Sequence, residues 1–393
     1  MEAVFGLNGL ISPIGVSDFR EGHWEKNFLL VERRDAHFYD PLLKIGDVNE
    51  FLARRDILYP MVELVKAGKV VPTSNYTVAA KGSPGRVIDN DRLFHYFSDG
   101  ATVVFQDIGR SFPVLDALTT ALEAELFAKS WVNAYLTPKG SRGFRPHYDT
   151  HDVFIVQIFG SKEWKIYDHP VLQAHKEQPY DRDSLAQEAP TAAFTLNAGD
   201  LLYIPRGLVH VADAEQETSM HLTVGVSTYK WMDLFREGTK GLASSLSMRS
   251  SVGGDFFQDL DEEKISELMA RYVEGVKGEG YEAVKDLLFK NQVQDARNRL
   301  MDTVNLPGLS MISRLRVRKA LRYRIKPTAE GVDLLFYKKK LTFHSDADLA
   351  LTWITENGHA PFQVFQLPSN YTSEAKENIC YRLVKEGFLT FSD

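Results

Sequence analysis

The chain has 393 residues, 44% of them apolar and 25% charged, and a formal net charge of −7. That length exceeds one ordinary domain, and the composition is that of a soluble globular protein with no apolar run long enough to span a bilayer. A single cysteine, Cys380, excludes an intrachain disulfide and a cysteine-based zinc cage, so any metal must be held by His and carboxylate. The opening MEAVFGLNGLISPIG lacks a basic signal-type start, and with the cysteine count it gives the expectation of a cytoplasmic protein.

In chain order, Ser17-Asp18-Phe19 to Trp24 predicts a capped helix ahead of a strand at Phe28–Val31, and Asp47 through Arg54 offers a second helix start. Val70-Val71, Tyr76–Ala79 and Thr102–Phe105 read as strands, with Gly82, Pro84 and Gly85 marking a turn. Apolar residues at helical spacing (Leu115, Leu118, Leu122, Leu126) predict a helix within Phe112–Ser130. From Trp131 to Thr228 the pattern is strand, turn, strand. Val132–Thr137 stops at Pro138-Lys139-Gly140. Val153–Phe159 ends at Gly160, and Glu163–Tyr167 follows closely enough to predict a hairpin; Ala193–Leu196, Asp200–Ile204 and His221–Val226 add further strands. Many short strands with Gly and Pro turns argue for a β-sandwich or barrel.

After Tyr229 the pattern turns helical, with Glu262–Val276 and Tyr281–Phe289 separated by Gly278 and Gly280. From about Asp333, two helices (Ser345–Glu356 and Ser373–Glu386) and a terminal Phe388-Leu389-Thr390-Phe391 suggest a small winged helix. Charge is uneven. Residues 311–340 carry ten Lys or Arg against Glu330 and Asp333, a net of +8 that leaves −15 on the rest. Such a block can contact RNA, or pair with the chain's own acids. The segment from His344 to Asp393 is net −4, which argues against DNA binding, since that relies on neutralising phosphates.

Three signals carry chemistry. In Phe144–Trp164, His147-Tyr148-Asp149 places an imidazole and a carboxylate two residues apart, on one face if the segment is an extended strand. A His-x-Asp pair is common on ordinary surfaces, so a second signal is needed. It comes from Gly199-Asp200 through Pro205, Gly207 and His210, the spacing by which cupin barrels deliver a metal-binding His. Two histidines and one carboxylate suit Fe(II) while leaving positions open; zinc fits the ligands too, but a closed structural site wants a fourth protein ligand. His151 reads as a rim residue and His221 as a strand residue near the site. The third signal is Lys162, beyond Gly160-Ser161, able to meet a distal carboxylate. Asn133, Tyr135 and Thr223 are polar positions on otherwise apolar strands.

The runs Asn133–Pro138, Gly143–Asp149, Asp152-Val153-Phe154, Gln157, Gly160–Trp164, Gly199–His210 and His221–Thr223 resemble the JmjC-type cupin family that contains the ribosomal oxygenases. The resemblance covers nearly the whole chain. It implies an α+β fold: a double-stranded β-helix (cupin/JmjC) barrel over 1–228, a helical dimerisation region over 229–330 and a winged helix over 331–393. It implies His147, Asp149 and His210 as iron ligands, Lys162 as the cation for 2-oxoglutarate, and Asn133, Tyr135 and Thr223 as further cosubstrate contacts. It also implies cofactors Fe(II), 2-oxoglutarate and O2, a homodimer, and hydroxylation of an Arg or His side chain of a ribosomal protein; the charge and hydropathy readings above add the expectation of no membrane and no direct DNA contact. The alternatives are the same chemistry on a peptide natural product or free amino acid, and a non-enzymatic cupin binding module.

Overall fold

The structure is a computed structural model that describes residues 5–80, 82, 84–142, 145–168, 171–178, 189–252, 261–290, 296–319 and 321–392. Gly143 and Phe144, at the head of the His-x-Asp motif, lie outside the described residues. The chain divides into two units, Met1–Thr228 and Tyr229–Asp393.

The first unit begins with short helices α1 (Leu7–Ile11) and α2 (Val16–Gly22), strand β1 (Leu29–Val31), helix α3 (Ile45–Leu52) and strands β2 (Val62–Lys66) and β3 (Lys69–Val70). A two-stranded piece, β4 (Thr77–Ala79) and β5 (Arg86–Ile88), precedes α4 (Asn90–Ser98), β6 (Thr102–Phe105) and α5 (Pro113–Leu126). Then come β7 (Ala128–Thr137), β8 (Ser141–Arg142), β9 (Asp152–Phe159), β10 (Ser161–Ile166), β11 (Ala192–Asn197), β12 (Leu201–Ile204), β13 (His210–Ala214) and β14 (Ser219–Thr228). They form an eight-stranded sheet, β1-β12-β9-β14-β7-β6-β2-β3, facing a four-stranded sheet, β11-β10-β13-β8.

Side-chain alternation explains the layering. On β7, β9 and β14 one set (Val132, Ala134, Phe154, Val156, Leu222, Val224) packs with Leu10, Phe19, Leu115 and Leu118 of the helices in one core. The opposite set on β9 and β12 (Val153, Ile155, Leu202, Ile204) meets Trp164, Ile166 and Leu196 of the smaller sheet. The polar residues of β7 and β14 fall on this inner side, where the cavity lies.

Several local expectations are corrected. β9 and β10 are not a hairpin: β10 pairs with β11 and β13, in the other sheet. Gly160 makes the step possible, with φ +61 and a position where a Cβ would stand 2.0 Å from the Thr218 carbonyl oxygen. His147 and Asp149 do not lie on a strand; their segment is irregular and holds one isolated bridge, His147 to His210. Helix α2 takes Gly15, not Ser17 or Asp18, at its N-cap. Helix α5 ends at Leu126, because Phe127 turns left-handed (φ 49) to start β7.

The second unit holds α6 (Trp231–Gly241), α7 (Leu246–Arg249), α8 (Glu262–Gly275), α9 (Tyr281–Lys290) and α10 (Arg299–Asn305). Gly278 and Gly280 do not break α8 from α9 but sit in a wide π-helical turn, Val276–Gly280, that joins them. A Cβ on Gly280 would stand 2.7 Å from Cα of Gly238 in α6, so these glycines allow close helix approach. The rest is β15 (Arg314–Val317), β16 (Tyr323–Thr328), β17 (Gly331–Phe336), β18 (Lys339–Phe343), α11 (Asp348–Asn357), β19 (Phe362–Gln363), α12 (Ser373–Glu386) and β20 (Leu389–Phe391). β16, β17 and β18 form one sheet, and β15 lies between β19 and β20 in another. The β16–β17 hairpin thus crosses position 330.

Half of the ten cations in the basic block pair with acids inside this unit. Arg318 pairs with buried Asp302, Arg324 with Glu282 and Asp286, Lys326 with Glu282, Lys339 with Glu386 and Lys340 with Asp333. Pairing with the chain's own acids is the observed fate of these five cations.

Candidate metal centre and adjoining cavity

A cavity of about 380 Å³ opens between the two sheets. At one end His147, Asp149 and His210 each offer a ligand atom, and these atoms all lie within 4.8 Å of one another. The segments that carry them are joined by backbone hydrogen bonds: His147 N–H to the His210 carbonyl (3.1 Å), His210 N–H to the His147 carbonyl (2.9 Å) and Gly207 N–H to the Asp149 carbonyl (2.9 Å). Gly207 has φ +87, and a Cβ there would stand 2.0 Å from the Val171 carbonyl oxygen, so this corner tolerates only glycine.

The tautomers follow from the neighbours. Nδ1 of His147 lies 2.8 Å from the Arg145 carbonyl and Nδ1 of His210 lies 3.0 Å from the Leu208 carbonyl. A carbonyl only accepts, so each Nδ1 carries the proton and the lone pair of each ring lies on Nε2. Nε2 of His210 stands 3.9 Å from Oδ2 of Asp149. Burial, reinforced by the charge of His147, pushes the His210 imidazole down to about 4. Burial raises the Asp149 carboxyl, but His151, His210 and His147 together outweigh it and hold the group below the usual carboxylate range. Two imidazoles that each turn Nε2 inward and a carboxylate held below its usual range, in one pocket, are a donor set that fits a divalent cation.

Lys162 lies elsewhere in the same cavity. On β10 the inward positions alternate as Lys162, Trp164 and Ile166. The ammonium is 5% exposed, and the hydrogen-bond partner identified for it among the described residues is Thr137 Oγ1, at 3.2 Å. Burial lowers its pKa to about 8, with the charge of Asp213 opposing. An ammonium has three protons to donate, so the cavity presents a cation with capacity for an anion.

β7 and β14 supply the facing wall. Their register sets Thr223 opposite Asn133 and His221 opposite Tyr135. All four line the cavity. Asn133 is partly committed: its Oδ1 accepts the Asp107 backbone N–H at 2.9 Å. Burial pushes the Tyr135 hydroxyl up to about 12. His221 stacks on Tyr135 at 5.0 Å and is held well below the usual imidazole range by burial and by Lys162. His151 lies against Trp131, ring centres 4.7 Å apart, outside the three-ligand group. Sequence reasoning gave no role to Thr137, Trp164, Trp131, Arg145 or Gly68. Thr137 and Trp164 had a signal, each two residues from a chosen one on the same strand face. Arg145 and Gly68 meet through a long-range contact that no local pattern encodes.

The two-sheet barrel has a cupin-type fold, and two imidazoles and a carboxylate that could hold a metal ion converge on its inter-sheet cavity. Residues 111–234 match the family model described as the JmjC domain. It is similar to ribosomal oxygenase 2 of Mus musculus, 30% identical over 254 residues, covering 61% of this chain and 51% of that protein. It is also 30% identical over 226 residues to the bifunctional lysine-specific demethylase and histidyl-hydroxylase NO66 of Drosophila mojavensis, covering 56% of this chain and 24% of that protein. The chain therefore spans about half, or less, of the length of these curated relatives. Among solved structures, YcfD, a ribosomal oxygenase from Escherichia coli in complex with cobalt and 2-oxoglutarate, aligns with a TM-score of 0.55 at 16% identity, over 97% of this chain and 99% of that one. At that identity the likeness speaks for the fold.

Proposed function

We propose that the protein is an Fe(II)- and 2-oxoglutarate-dependent oxygenase that hydroxylates an Arg or His side chain of a ribosomal protein. The observation that carries this reading is the pairing, in one cavity, of a three-ligand metal set with a buried, under-partnered ammonium. The similarity to ribosomal oxygenase 2 and to YcfD supports the substrate class. His147, Asp149 and His210 would hold the metal, and Lys162 with Thr137 the distal carboxylate of 2-oxoglutarate. Asn133, Tyr135 and Thr223 would contact the rest of the cosubstrate. When bound, iron with 2-oxoglutarate and O2 supplies the oxidising power to place one oxygen atom in an unactivated C–H bond, releasing succinate and carbon dioxide.

The chain's own part is orientation and exclusion of water. The Arg145 and Leu208 carbonyls fix the two imidazoles. Ile155, Trp164 and Ala212 give the cavity apolar wall, and Trp131, Arg145 and Gly68 add to its lining. In the second unit, Trp231 (78% exposed), Met232 and Phe235 on α6 and Ile265, Met269 and Val273 on α8 leave apolar side chains on the surface. These support a homodimer through residues 229–330; the net −4 charge from His344 to Asp393 favours a winged helix over 331–393 that is structural or protein-binding, not DNA-binding. No helix of the described residues is long and apolar enough to cross a membrane, and a cytoplasmic location completes the proposal.

The test is anaerobic loading with Fe(II), followed by O2, 2-oxoglutarate and a ribosomal-protein fraction. Iron-dependent succinate, lost in His147→Ala, and a one-oxygen mass gain on one ribosomal protein are the expected results. Iron bound without any consumption of 2-oxoglutarate would favour a cupin that only binds its ligand. A monomeric mass in light scattering would remove the dimer.

A further inference from the structure

The segment that carries His147 and Asp149 belongs to no strand, so something other than a sheet must hold it against the corner that carries His210. Asp152 follows three residues after Asp149, at the start of β9. Its carboxylate is fully buried and does not line the cavity. Both its oxygens are spent on the His210 side. Oδ1 accepts from the Tyr203 hydroxyl at 2.8 Å and from the Arg206 backbone N–H at 3.4 Å, and Oδ2 accepts from Arg206 Nη1 at 3.0 Å. Arg206 sits in the Pro205–Gly207 corner, four residues before His210. The same Nη1 donates to Glu25 Oε1 at 2.5 Å, and Glu25 returns its backbone N–H to the Tyr203 hydroxyl at 2.8 Å. Thr228 Oγ1 also donates to Glu25 Oε1, at 3.3 Å. Glu25, Arg206, Asp152 and Tyr203 thus form a closed ring of hydrogen bonds joining three stretches distant in sequence.

Stability alone is a poor reason for such a ring, because burying ions costs solvation that their attraction only partly returns, and apolar side chains can do as well. Geometry is the better one. Together with the Gly207–Asp149 and His147–His210 backbone bonds, the ring ties the two ligand-bearing segments at successive levels and limits how far their ligand atoms can separate. We infer that Asp152, Arg206 and Glu25 are positioning residues for the metal centre, setting its affinity and coordination geometry from outside the cavity; this rests on the metal-site reading proposed above.

The experiment is Co(II) titration of the full chain, read by visible absorption and calorimetry, with thermal melting of each metal-free protein as a folding control. Glu25→Gln and Asp152→Asn should weaken Co(II) binding by about three- to tenfold, below the roughly ten- to hundredfold effect of removing a group bonded directly to a ligand, and should alter the Co(II) bands. Glu25 lies at the edge of the ring, so Glu25→Gln keeps the test informative if Asp152→Asn does not fold. A folded Glu25→Gln protein with wild-type Co(II) affinity and spectrum would overturn the inference while leaving the metal site intact. A wild-type chain that binds no Co(II) would overturn both the site and the inference.

Discussion

Lys162→Met should move two properties in opposite directions. Burial lowers the pKa of Lys162 from 10.5 to about 8. At neutral pH that depression corresponds to about 3 kcal/mol lost from the metal-free fold, taking ~1.4 kcal/mol per pKa unit. The sign is that of a base whose folded pKa lies below its unfolded one: the penalty is full below about pH 8 and disappears as pH rises towards 10.5. Methionine keeps the volume without the charge. Thr137 loses a donor, which costs about 1 kcal/mol, although Thr102 Oγ1 still lies 3.2 Å from it. The remaining gain, about 2 kcal/mol, should raise the melting temperature of the metal-free protein by several degrees. In the same variant a charge-assisted hydrogen bond to the cosubstrate is missing, and 2-oxoglutarate should bind about ten- to a hundredfold more weakly. Calorimetry and thermal melting, each with and without ligand, give both numbers. A variant that melts below wild type, or that binds 2-oxoglutarate as tightly, would refute the reasoning.

The wild-type protein should bind 2-oxoglutarate with constant affinity below about pH 8 and lose about tenfold per pH unit above it, because the protonated amine is the binding form. The slope should vanish in Lys162→Met, and a flat wild-type profile would remove Lys162 from the site. Gly207→Ala adds a Cβ 2.0 Å from the Val171 carbonyl oxygen at φ +87. It should cost about 3 kcal/mol in urea unfolding and weaken Co(II) binding through the displaced His210; unchanged unfolding would show that the corner yields.

Part of the site was legible as polarity out of place: Asn133, Tyr135 and Thr223 are polar positions on otherwise apolar strands, and the register sets Thr223 opposite Asn133 and His221 opposite Tyr135. Lys162 was legible from the Gly160-Ser161 turn before it, while the strand period that paired His147 with Asp149 did not apply, because their segment is irregular. The β9–β10 connection was not legible. A Gly-Ser turn between two apolar runs is the same string whether the chain folds back on itself or steps into another sheet. The Thr218 carbonyl beneath Gly160, 58 residues on, belongs to the step. The Asp152–Arg206 contact, at a separation of 54 residues, was equally invisible. Pairing of the basic block with the chain's own acids was legible as a reading, but its particular partners were not, since Glu282, Asp286, Asp302 and Glu386 lie outside it in sequence.

The same strand geometry bears on ligand length. β10 and β13 pair with Ile166 opposite His210. Lys162 stands four residues before Ile166 on β10, about 13 Å along the strand at roughly 3.3 Å per residue. Lys162 and His210 are therefore carried on neighbouring, hydrogen-bonded strands whose register cannot slip without turning Lys162 out of the cavity. A rigid spacing of this kind selects among keto diacids by reach, not by charge, since all carry the same two carboxylates. The shorter oxaloacetate and the longer 2-oxoadipate should both compete with 2-oxoglutarate at least tenfold less well, the order of effect expected when one charge-assisted bond is missed or strained. In Lys162→Met that preference should collapse, because the far end of the ruler is gone. Equal competition by all three diacids in the wild-type protein would mean that the distal carboxylate is not read at Lys162.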